Sequence, residues 1–537
     1  MSYTAQQLVK RYQTVKAARQ SWDSYWQELA YYTLPRKAYV TETKSPGSKL
    51  PTDLYDSTGI NANQVLAAGL HGYLTNPQSK WFSLRMQEYK ANNIAGVKEW
   101  LNESEERIYD VLNSSNFNQE IHEVYMDLGA IGTSVMYEEE DLKDFVRFYT
   151  LPIGNLAIAE DDTGRVNTVF IEFEFTAEQA FKKWGKKAGK QVLECMDKKL
   201  YDKPFGFLQC VYPRTDRDVN KKDAQNMEYA STWISKENKI IQEGGYKEFP
   251  FFVPRFSKVS GDIYGYSPAM NVLPDIKMLN SMAKTIIISA QKIVDPPLQV
   301  PNEAFLLPLR TMPGGINIRN AGYPGEDIRP LQTGGNIPVG LEMEQERRQI
   351  IQRAFFVDLF MLLADKKNMT ATEVQERVSE KMLLLGPALG RLMSELLDPI
   401  ITRTFNILLR NGVISPPPPG LENEDYVVEY VSPLARAQKI GEINSINSVL
   451  MLVGQMAQVN PLVLDKIDMD KTVDEISDIH GVNPDLIRDD DEVEDIRAAR
   501  QQQQEAMIKL QGAQAAADVV KTGAEAKRAN QEAINAR

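Results

Sequence analysis

Two long helical patterns, with a proline- and glycine-rich segment between them, limit most strongly how this chain folds. The first pattern runs from about Ser267 to Val294 and the second from about Leu341 to Leu363. The residues between them, 295–340, include Pro296-Pro297 and Pro313-Gly314-Gly315. Proline lacks an amide hydrogen and glycine has no steric preference for negative φ, so both interrupt regular structure. The sequence therefore predicts two long helices that flank a compact non-helical excursion.

The residues before this central region change from a helical pattern to an extended one. Apolar residues recur at helical spacing from Leu8 to Tyr32, as expected for one amphipathic helix. A second helix is expected from the cap cluster Asp56-Ser57-Thr58 to Asn76. Two more helical patterns cover about Ile94–Leu112 and Asn118–Leu128. The first quarter of the chain is therefore predicted to be mostly helical.

Residues 145–255 contain short β-branched and aromatic runs separated by turn clusters, among them Asp161–Gly164 and Glu243–Gly245. A capping box at Thr176–Gln179 begins one short helix within this region. The expected strands are Ala157–Ala159, Val166–Phe175, Phe207–Tyr212, Tyr229–Ile234 and Lys239–Gln242, with extended chain also at Ser134–Tyr137. The predicted fold class is therefore α+β and mainly helical, with antiparallel hairpins.

The chain after the central region returns to helix. A helical pattern runs from a second capping box, Thr370–Glu373, to Arg410, with kinks expected at Gly386-Pro387 and Asp398-Pro399. Tyr426–Val431 is predicted to be a lone strand. Helices are then expected at about Leu434–Val459 and Asp470–Ile479, followed by the acidic run 489–495 and a tail rich in Gln and Ala. That tail has helical propensity but few large apolar residues.

Charge and composition exclude several classes of protein. The formal net charge of −12 argues against a protein that binds nucleic acid tightly. It is compatible with an acidic channel surface, which repels phosphate and lets DNA slide past. The three histidines and two cysteines are too few and too dispersed for a zinc site, and both cysteines are expected to be reduced thiols. No apolar stretch reaches the roughly 18 to 20 residues that span a bilayer. No secretory signal is expected, because the first twenty residues contain no apolar block.

Signatures of catalysis are missing from the sequence. There is no phosphate-binding Gly-x-x-x-x-Gly-Lys-Ser/Thr loop, since Gly185-Lys186 is followed by another lysine. There is also no Gly-x-Ser-x-Gly and no His-Glu-x-x-His. Acidic pairs such as Asp161-Asp162 are more typical of turns than of metal sites. No catalytic residue, metal or cofactor is therefore predicted.

The two long helices carry cations on their polar sides. Lys277, Lys284 and Lys292 are seven and eight residues apart, which keeps them on one face of the first helix. Arg347, Arg348 and Arg353 belong to the polar side of the second. In a monomer such a face is usually just solvated, but in a ring it would face either the channel or the solvent. The pair Lys366-Lys367 is a further candidate for phosphate contact, in an inner loop of such a ring.

Several segments, in this order, resemble the head-to-tail connector (portal) proteins of short-tailed bacteriophages. None of the segments is a catalytic signature, and their order and spacing carry the resemblance over about residues 5–480. The segments are Tyr55-Asp56-Ser57-Thr58-Gly59 with Leu66-Ala67-Ala68-Gly69-Leu70, Gly129-Ala130-Ile131-Gly132-Thr133, Gly261-Asp262-Ile263-Tyr264-Gly265, Met369-Thr370-Ala371-Thr372-Glu373-Val374, and Tyr430-Val431-Ser432-Pro433-Leu434-Ala435.

The resemblance implies a portal fold assembled as a dodecameric ring. The implied divisions are a wing at 1–265, stem helix 1 at 266–294, a clip at 295–340, stem helix 2 at 341–363, a channel loop at 364–369, a long kinked helix and returning wing strand at 370–432, a crown at 433–495, and a barrel or helical tail at 496–537. Clip strands at Leu298–Val300 and Ile316–Ile318 are expected to pair between neighbouring subunits, because each is too short to be stable alone.

The resemblance also implies a function without bond-making chemistry. The ring would form the channel at the capsid vertex through which double-stranded DNA is packaged and ejected. The clip would dock the terminase and later the tail adaptor, and the wing would meet the major capsid protein and scaffold. The candidate clip docking residues are Arg310, Asn317, Arg319, Asp327 and Arg329. The protein is expected in the virion after assembly in the host cytoplasm, with no membrane association.

Two other classes of protein remain open at this point. A different phage tail or scaffold structural protein would form another oligomer and no channel. An enzyme of DNA packaging, such as an ATPase or a nuclease, is disfavoured by the missing phosphate-binding loop and by the lack of a carboxylate constellation on strand ends.

Overall fold

A computed structural model describes most of the N-terminal four fifths of the chain and shorter parts of the remainder. Its described residues fall into two compact units, one formed by Met1–Gln87 with Lys98–Ile440 and the other by Glu88–Val97 with Gly441–Arg537. The described residues are 3–42, 47, 52–87, 96–218, 220–221, 223–300, 305, 308–312, 315–319, 328–331, 337–364, 384–419, 426–431, 446–458, 460–480, 488, 493, 496–504, 507, 522–524 and 526–528.

The chain begins with two helices, α1 (Ala5–Ala18) and α2 (Gln20–Thr33), where the sequence predicts one. A capping box between Thr4 and Gln7 begins α1. The break falls at Arg19, whose side chain is only 2% exposed and donates to the carbonyls of Ile153 (2.7 Å) and Gly154 (2.9 Å). The prediction of one continuous helix is wrong here because apolar spacing alone does not show that Arg19 turns inward to satisfy the carbonyls of a distant turn.

Three further helices complete the N-terminal part of the larger unit. They are α3 (Thr58–Leu74), α4 (Val97–Ser114) and α5 (Phe117–Ala130), each close to its predicted range. The strand β1 (Phe82–Met86), which the sequence analysis missed, lies between α3 and α4. It pairs antiparallel with the strand Tyr426–Tyr430, so that strand is not alone as predicted. The pairing joins segments more than 300 residues apart in sequence.

Two antiparallel sheets form the β part of this unit. The strands are β2 (Val135–Asp141), β3 (Phe145–Leu151), β4 (Leu156–Glu160), β5 (Val166–Thr176), β6 (Pro204–Pro213), β7 (Tyr229–Ser235), β8 (Ile240–Tyr246) and β9 (Phe251–Phe252). Strands β4 to β8 form a five-stranded sheet in sequence order, and the other three form a sheet in the order β3-β2-β9. All five predicted strands of the larger sheet are confirmed, as is the α+β class.

The five-stranded sheet is packed on both faces, which follows from the period-two alternation of its side chains. Phe170 and Tyr212 point to the face covered by Leu8 and Tyr12 of α1. Side chains of opposite parity, such as Phe207 and Trp233, pack against two short helices on the other face. These helices are α6 (Ala177–Trp184), which begins at the predicted capping box, and α7 (Lys190–Asp197).

The predicted turn at Glu243–Gly245 is wrong, because these residues lie within β8. A Cβ at Gly245 would stand 2.4 Å from the carbonyl oxygen of Ala224 and 2.8 Å from the Cβ of Met227. The glycine is therefore required for close approach of another segment to the strand and does not mark a turn.

The two long helices of the centre are present and antiparallel. Helix α8 covers Pro268–Val294, within one residue of the prediction, and α9 covers Ile337–Ala354. Arg347 of α9 pairs with Asp275 of α8, and Gly340 of α9 lies against Ile286 of α8. The later contact in one helix faces the earlier contact in the other, so the two helices run in opposite directions. At about 1.5 Å per residue, α8 is about 40 Å long. Residues 357–363 of the predicted second helix belong to a separate helix, α10 (Val357–Ala364).

The prediction of one continuous helix from Leu341 to Leu363 is wrong, because the helix is interrupted at Phe355-Phe356. Phe356 has φ of 57°, and Phe355 is fully buried. A left-handed aromatic residue costs conformational energy, which burial of the neighbouring ring helps to offset. Nothing in the apolar spacing marks that turn.

The last part of the larger unit contains a helix with a change of pitch. Residues 384–392 are α-helical, Met393–Leu397 form a π-helical turn, and Asp398–Arg410 continue as an α-helix. The π-helical turn ends at the Asp398-Pro399 position where a kink is predicted. The predicted capping box Thr370–Glu373 lies outside the described residues.

The excursion between α8 and α9 contains one short antiparallel pair among its described residues. Leu298–Gln299 (β10) pairs with Arg329–Pro330 (β11) of the same chain. Within the single chain Ile316–Ile318 pair with no strand that the structure describes, and the neighbouring Arg319 makes an isolated bridge with Phe305. Pairing of these residues between subunits stays a prediction. The described part of the smaller unit is helical at 446–457, at Met469–His480 and at 496–504.

Candidate functional site

The start of α8 is fixed by two of the glycine motifs that the sequence analysis singled out. Gly132 has φ of 86°, and a Cβ there would be 2.6 Å from the backbone carbon of Tyr266 and 2.7 Å from the carbonyl oxygen of Gly265. The Thr133 hydroxyl accepts a hydrogen bond from the amide of Gly265 at 2.7 Å. The two backbones thus cross in direct contact immediately before the helix. We call this crossing, Gly132-Thr133 on Gly265-Ser267, the helix junction.

The hydroxyl of Ser267 has two roles at the helix junction. It caps α8 by accepting from the amide of Met270 at 3.1 Å, and it donates to the carbonyl of Ala130 at 2.9 Å. The cap satisfies one of the free amides at the helix start. The second bond ties the start of α8 to the end of α5. The direction of α8 is therefore set by the core of the larger unit.

A buried charge cluster lies beside the junction. Arg255 is 2% exposed and donates twice to the carboxylate of Glu395, through Nη2 at 2.8 Å and Nε at 3.1 Å. Its Nη1 donates to Glu160 at the end of β4. Glu395 lies in the π-helical turn and also accepts from Arg391 at 3.1 Å. The guanidinium of Arg255 therefore joins the five-stranded sheet to the π-helical turn, while its backbone pairs with Thr133 of the helix junction.

The motif Tyr55-Asp56-Ser57-Thr58-Gly59 is fixed to both long helices. The Asn280 carboxamide of α8 accepts from the Tyr55 amide at 2.7 Å and donates to the carbonyl of Asp53 at 3.0 Å. Arg348 of α9 pairs with Asp56 at 3.1 Å, and the other oxygen of Asp56 caps the amide of Thr58 at 2.8 Å. We call this arrangement the loop clamp. It fixes the helix pair laterally to the start of α3.

Three of the six predicted cations on the helix pair are engaged in ion pairs within the chain. Lys277 pairs with Glu28 of α2, which raises the pKa of the lysine. Arg347 pairs with Asp275 across the two helices at 2.9 Å, and Arg348 pairs with Asp56 and Glu344. These side chains stabilise the packing of the helix pair. Such engagement reduces their capacity to contact a phosphate at the same time.

The other predicted cations differ in their surroundings. Lys284 stands over the ring of Tyr55, with Nζ 5.6 Å from the ring centroid. Lys292 and Arg353 are exposed, and neither has an ion pair with any residue that the structure describes. Lys366 and Lys367 lie outside the described residues. The geometry therefore divides the predicted set of cations into packed and exposed members.

The candidate docking residues of the excursion are similarly divided. The Asn317 carboxamide closes a small loop by accepting from the amide of Arg310 at 2.7 Å and donating to its carbonyl at 3.0 Å. Asn317 therefore shapes the loop. The Arg310 side chain and Arg329 on β11 are on the surface, as is Arg319. Asp327 lies outside the described residues.

The end of the helix pair that carries the excursion exposes twelve large apolar side chains among the residues that the structure describes. The first half of α8 buries its large apolar side chains except Met278, whereas Ile287, Ile288, Ile293 and Val294 in the second half are exposed. Val294 is 86% exposed, and Met312 and Ile316 are 77% and 78% exposed. We call this surface the apolar end. Its members are Ile287, Ile288, Ile293 and Val294 of α8, Leu298, Met312, Ile316, Ile318 and Leu331 of the excursion, and Val339, Leu341 and Met343 of α9.

The described part of the chain offers no metal-binding cluster. It includes no group of three or more His, Cys, Asp or Glu side chains placed to hold a metal ion. Asp161 accepts from Thr163 and Arg165 within its turn, which lowers the pKa of its carboxyl. Cys195 and Cys210 are buried and form no disulfide, and burial raises the pKa of the Cys210 thiol to about 12. No helix that the structure describes is both long enough and apolar enough to span a membrane.

Comparison with known proteins gives one consistent result. The model of a family described as bacteriophage head to tail connecting protein matches residues 5–487. The chain is 35% identical over 514 residues to the probable portal protein of Bordetella phage BPP-1, covering 93% of this chain and 91% of that protein. It is 31% identical over 540 residues to the portal protein of Salmonella phage epsilon15, covering 99% of this chain and 97% of that protein.

Proposed function

The chain belongs to the family of bacteriophage head to tail connecting proteins, and from this premise we propose how it works as a portal subunit at the capsid vertex. About twelve copies assemble into a closed ring around a channel for double-stranded DNA. Helices α8 and α9 form the stem of each subunit, and the excursion between them forms the clip outside the capsid. The remaining wing and crown segments keep the boundaries that the sequence predicts.

The apolar end carries the ring proposal. A soluble subunit rarely exposes many large apolar side chains in one region unless another protein covers them. Here they lie at the excursion end of the helix pair, whereas the first half of α8 is well covered. Identical neighbours arranged head to tail would cover each such surface with the next copy, and a rotation that closes gives a ring.

A rigid link between stem and body is needed if neighbouring subunits are to present their stems at one angle. The helix junction fixes the start of α8, and the loop clamp fixes the pair further along its length. Arg255 and Glu395 add a buried connection to the π-helical turn. These contacts support a stem that keeps its orientation while DNA moves past.

DNA passes through the channel without sequence readout in this proposal. Lys292 and Arg353 provide exposed cations on the stem, and Lys366 and Lys367 provide a second set in the channel loop. Isolated cations on an otherwise acidic protein give weak, salt-dependent contacts with phosphate, which slow backsliding without trapping the duplex. The cations of the stem that are in ion pairs act mainly in packing.

The chain makes and breaks no bond in this mechanism. The terminase supplies the ATP-driven force, and the clip provides its docking platform, later used by the tail adaptor. The wing contacts the major capsid protein and scaffold, and the ring assembles in the host cytoplasm before it becomes part of the virion. A nucleotide-hydrolysis assay on the purified chain tests the enzymatic alternative, since turnover by the chain alone would contradict this view.

Negative-stain microscopy of the purified chain tests the proposal directly. We expect rings of about twelve subunits with a hole wide enough for a duplex about 20 Å across. The double variant Ile293→Glu, Val294→Glu should lose the rings, because it places charge in the apolar end. The control Leu142→Glu changes a fully exposed leucine between β2 and β3, away from the apolar end, and should keep the rings. Rings that survive in the double variant would refute the interface. Persistent monomers of the unmodified chain would favour an enzyme, and an oligomer without a channel would favour a tail or scaffold protein.

Replacement of Lys366 and Lys367 by alanine tests the channel contacts separately. Ring assembly should be unchanged, while packaging or retention of the genome should be altered. Normal packaging and retention of the genome in the variant would show that these lysines do not contact DNA in the channel.

A further inference from the structure

A lysine-rich surface surrounds α6 and α7 at one end of the five-stranded sheet. Residues 176–203 contain eight lysines and four carboxylates, a net charge of +4 in a chain whose formal charge is −12. Two more lysines lie on the β7–β8 hairpin at the same end of the sheet. We call this surface the lysine platform. Its lysines, all exposed, are Lys182, Lys183, Lys186, Lys187, Lys190, Lys198, Lys199, Lys203, Lys236 and Lys239.

Nine of these ten lysines have no ion pair with any residue that the structure describes. The exception is Lys239, which pairs with Glu237 at 3.5 Å. The chain has 73 acidic residues against 61 basic ones, so a shortage of carboxylates does not explain this. The cations Lys277, Arg347 and Arg348, by contrast, all have partners.

One lysine of the platform is placed against local stability. Lys190 is the first residue of α7, where the helix dipole disfavours a cation, and the first turn of α7 contains no acidic residue. Lys182 and Lys183, by contrast, lie in the last turn of α6, where the dipole favours a cation. Lys190 therefore indicates a use that the fold itself does not require.

The helices and strands that carry the lysine platform are packed tightly against each other. Trp184 is 8% exposed and donates to the side chain of Gln242 at 2.8 Å, which ties α6 to β8. The side chain of Lys183 is exposed overall, but its Nζ stands 4.2 Å from the ring centroid of Trp233, and desolvation of the amino group there lowers the pKa of this lysine. Rigid elements present charged groups at defined positions, which reduces the entropy lost on binding.

We propose that the lysine platform docks an acidic segment of another protein. Large apolar side chains are exposed among the lysines, with Leu200 at 50% and Tyr201 at 41%, and a protein partner can cover them. Glu178, Glu194, Asp197 and Asp202 interrupt the positive field. Nucleic-acid surfaces are more uniformly basic and commonly use arginine, which is absent from residues 176–203. The partner is therefore an acidic peptide with a few apolar anchors.

The test compares two matched triple variants of the full chain. Lys182, Lys186 and Lys187→Gln removes three charges from the platform. Lys10, Lys143 and Lys247→Gln removes three exposed charges elsewhere. Lys183 is left intact because its amino group packs on aromatic rings. Circular dichroism and negative-stain microscopy of both variants monitor folding and ring formation, so a failure of assembly is distinguished from a failure of docking.

Binding is measured by fluorescence anisotropy with three probes in about 0.1 M salt. They are a labelled peptide of about 15 residues that repeats Glu-Asp-Glu-Leu-Glu, a DNA duplex of about 15 base pairs, and vesicles of phosphatidylglycerol. The unmodified chain and the control variant should bind the peptide equally, and the platform variant at least about tenfold more weakly. The three proteins should not differ toward the duplex or the vesicles. Equal or undetectable peptide binding by all three, or an equivalent loss toward the duplex or the vesicles, would overturn the proposal.

Discussion

Replacing Gly132 by alanine should disrupt the helix junction, and the size of the effect follows from two separable costs. Gly132 has φ of 86°, and an alanine held in the left-handed region costs about 1–2 kcal/mol. Its Cβ would also lie 2.6 Å from the backbone carbon of Tyr266 and 2.7 Å from the amide nitrogen of Ser267. Backbone atoms cannot rotate away as a side chain does, and such overpacking costs about 1–3 kcal/mol. We therefore expect Gly132→Ala to lower the free energy of unfolding by about 2–5 kcal/mol.

Gly412→Ala is the matched control for the conformational cost. Gly412 has φ of 71°, but nothing lies within 4 Å of a Cβ built there, so only the first cost of about 1–2 kcal/mol applies. Urea unfolding followed by tryptophan fluorescence measures both variants against the unmodified chain. The difference between them isolates the overlap at the helix junction. If Gly132→Ala destabilised the protein no more than Gly412→Ala, the close backbone crossing inferred here would be refuted.

Three further predictions follow from individual contacts. Asn280→Ala should lower the free energy of unfolding by about 1–3 kcal/mol, because it removes the acceptor of the Tyr55 amide and the donor to the Asp53 carbonyl. Ser281→Ala, at an exposed neighbouring position, should leave the free energy of unfolding nearly unchanged in the same assay. Burial raises the pKa of Glu105 to about 7 from its ordinary 4.5, so the folded state binds this proton more tightly than the unfolded state does. The free energy of unfolding should therefore fall as pH rises from 4.5 to 7. Glu105→Gln keeps the hydrogen bond from the Leu84 amide and should lose this pH dependence, and an unchanged pH dependence would contradict the assignment. Lys190→Glu should raise the free energy of unfolding by about 0.3–1 kcal/mol because it complements the dipole of α7, whereas a loss of stability would show that Lys190 supports the fold.

The glycine motifs show how far short sequence patterns can be interpreted. Their composition indicates positions where backbone must turn or approach closely, but not which two segments meet. The structure brings Gly132 and Gly265 into one crossing although more than 130 residues separate them. The same holds for Asp56 and Arg348, whose pairing gives the motif at Tyr55–Gly59 its role. A motif thus predicts a constraint, and tertiary packing supplies its partner.

The sequence by itself determined the α+β class, the ranges of most helices and strands, the two long helices around a proline- and glycine-rich excursion, and the family resemblance. These features depend on local spacing, capping residues and turn residues, whose effects act over a few positions. Tertiary structure alone decided that Arg19 and Phe356 interrupt helices, that β1 pairs with the strand Tyr426–Tyr430, and that Arg347 and Arg348 are held in ion pairs. The physical reason is that helical periodicity fixes the face on which a side chain lies, whereas an ion pair or a buried turn depends on distances of a few ångströms between segments far apart in the chain.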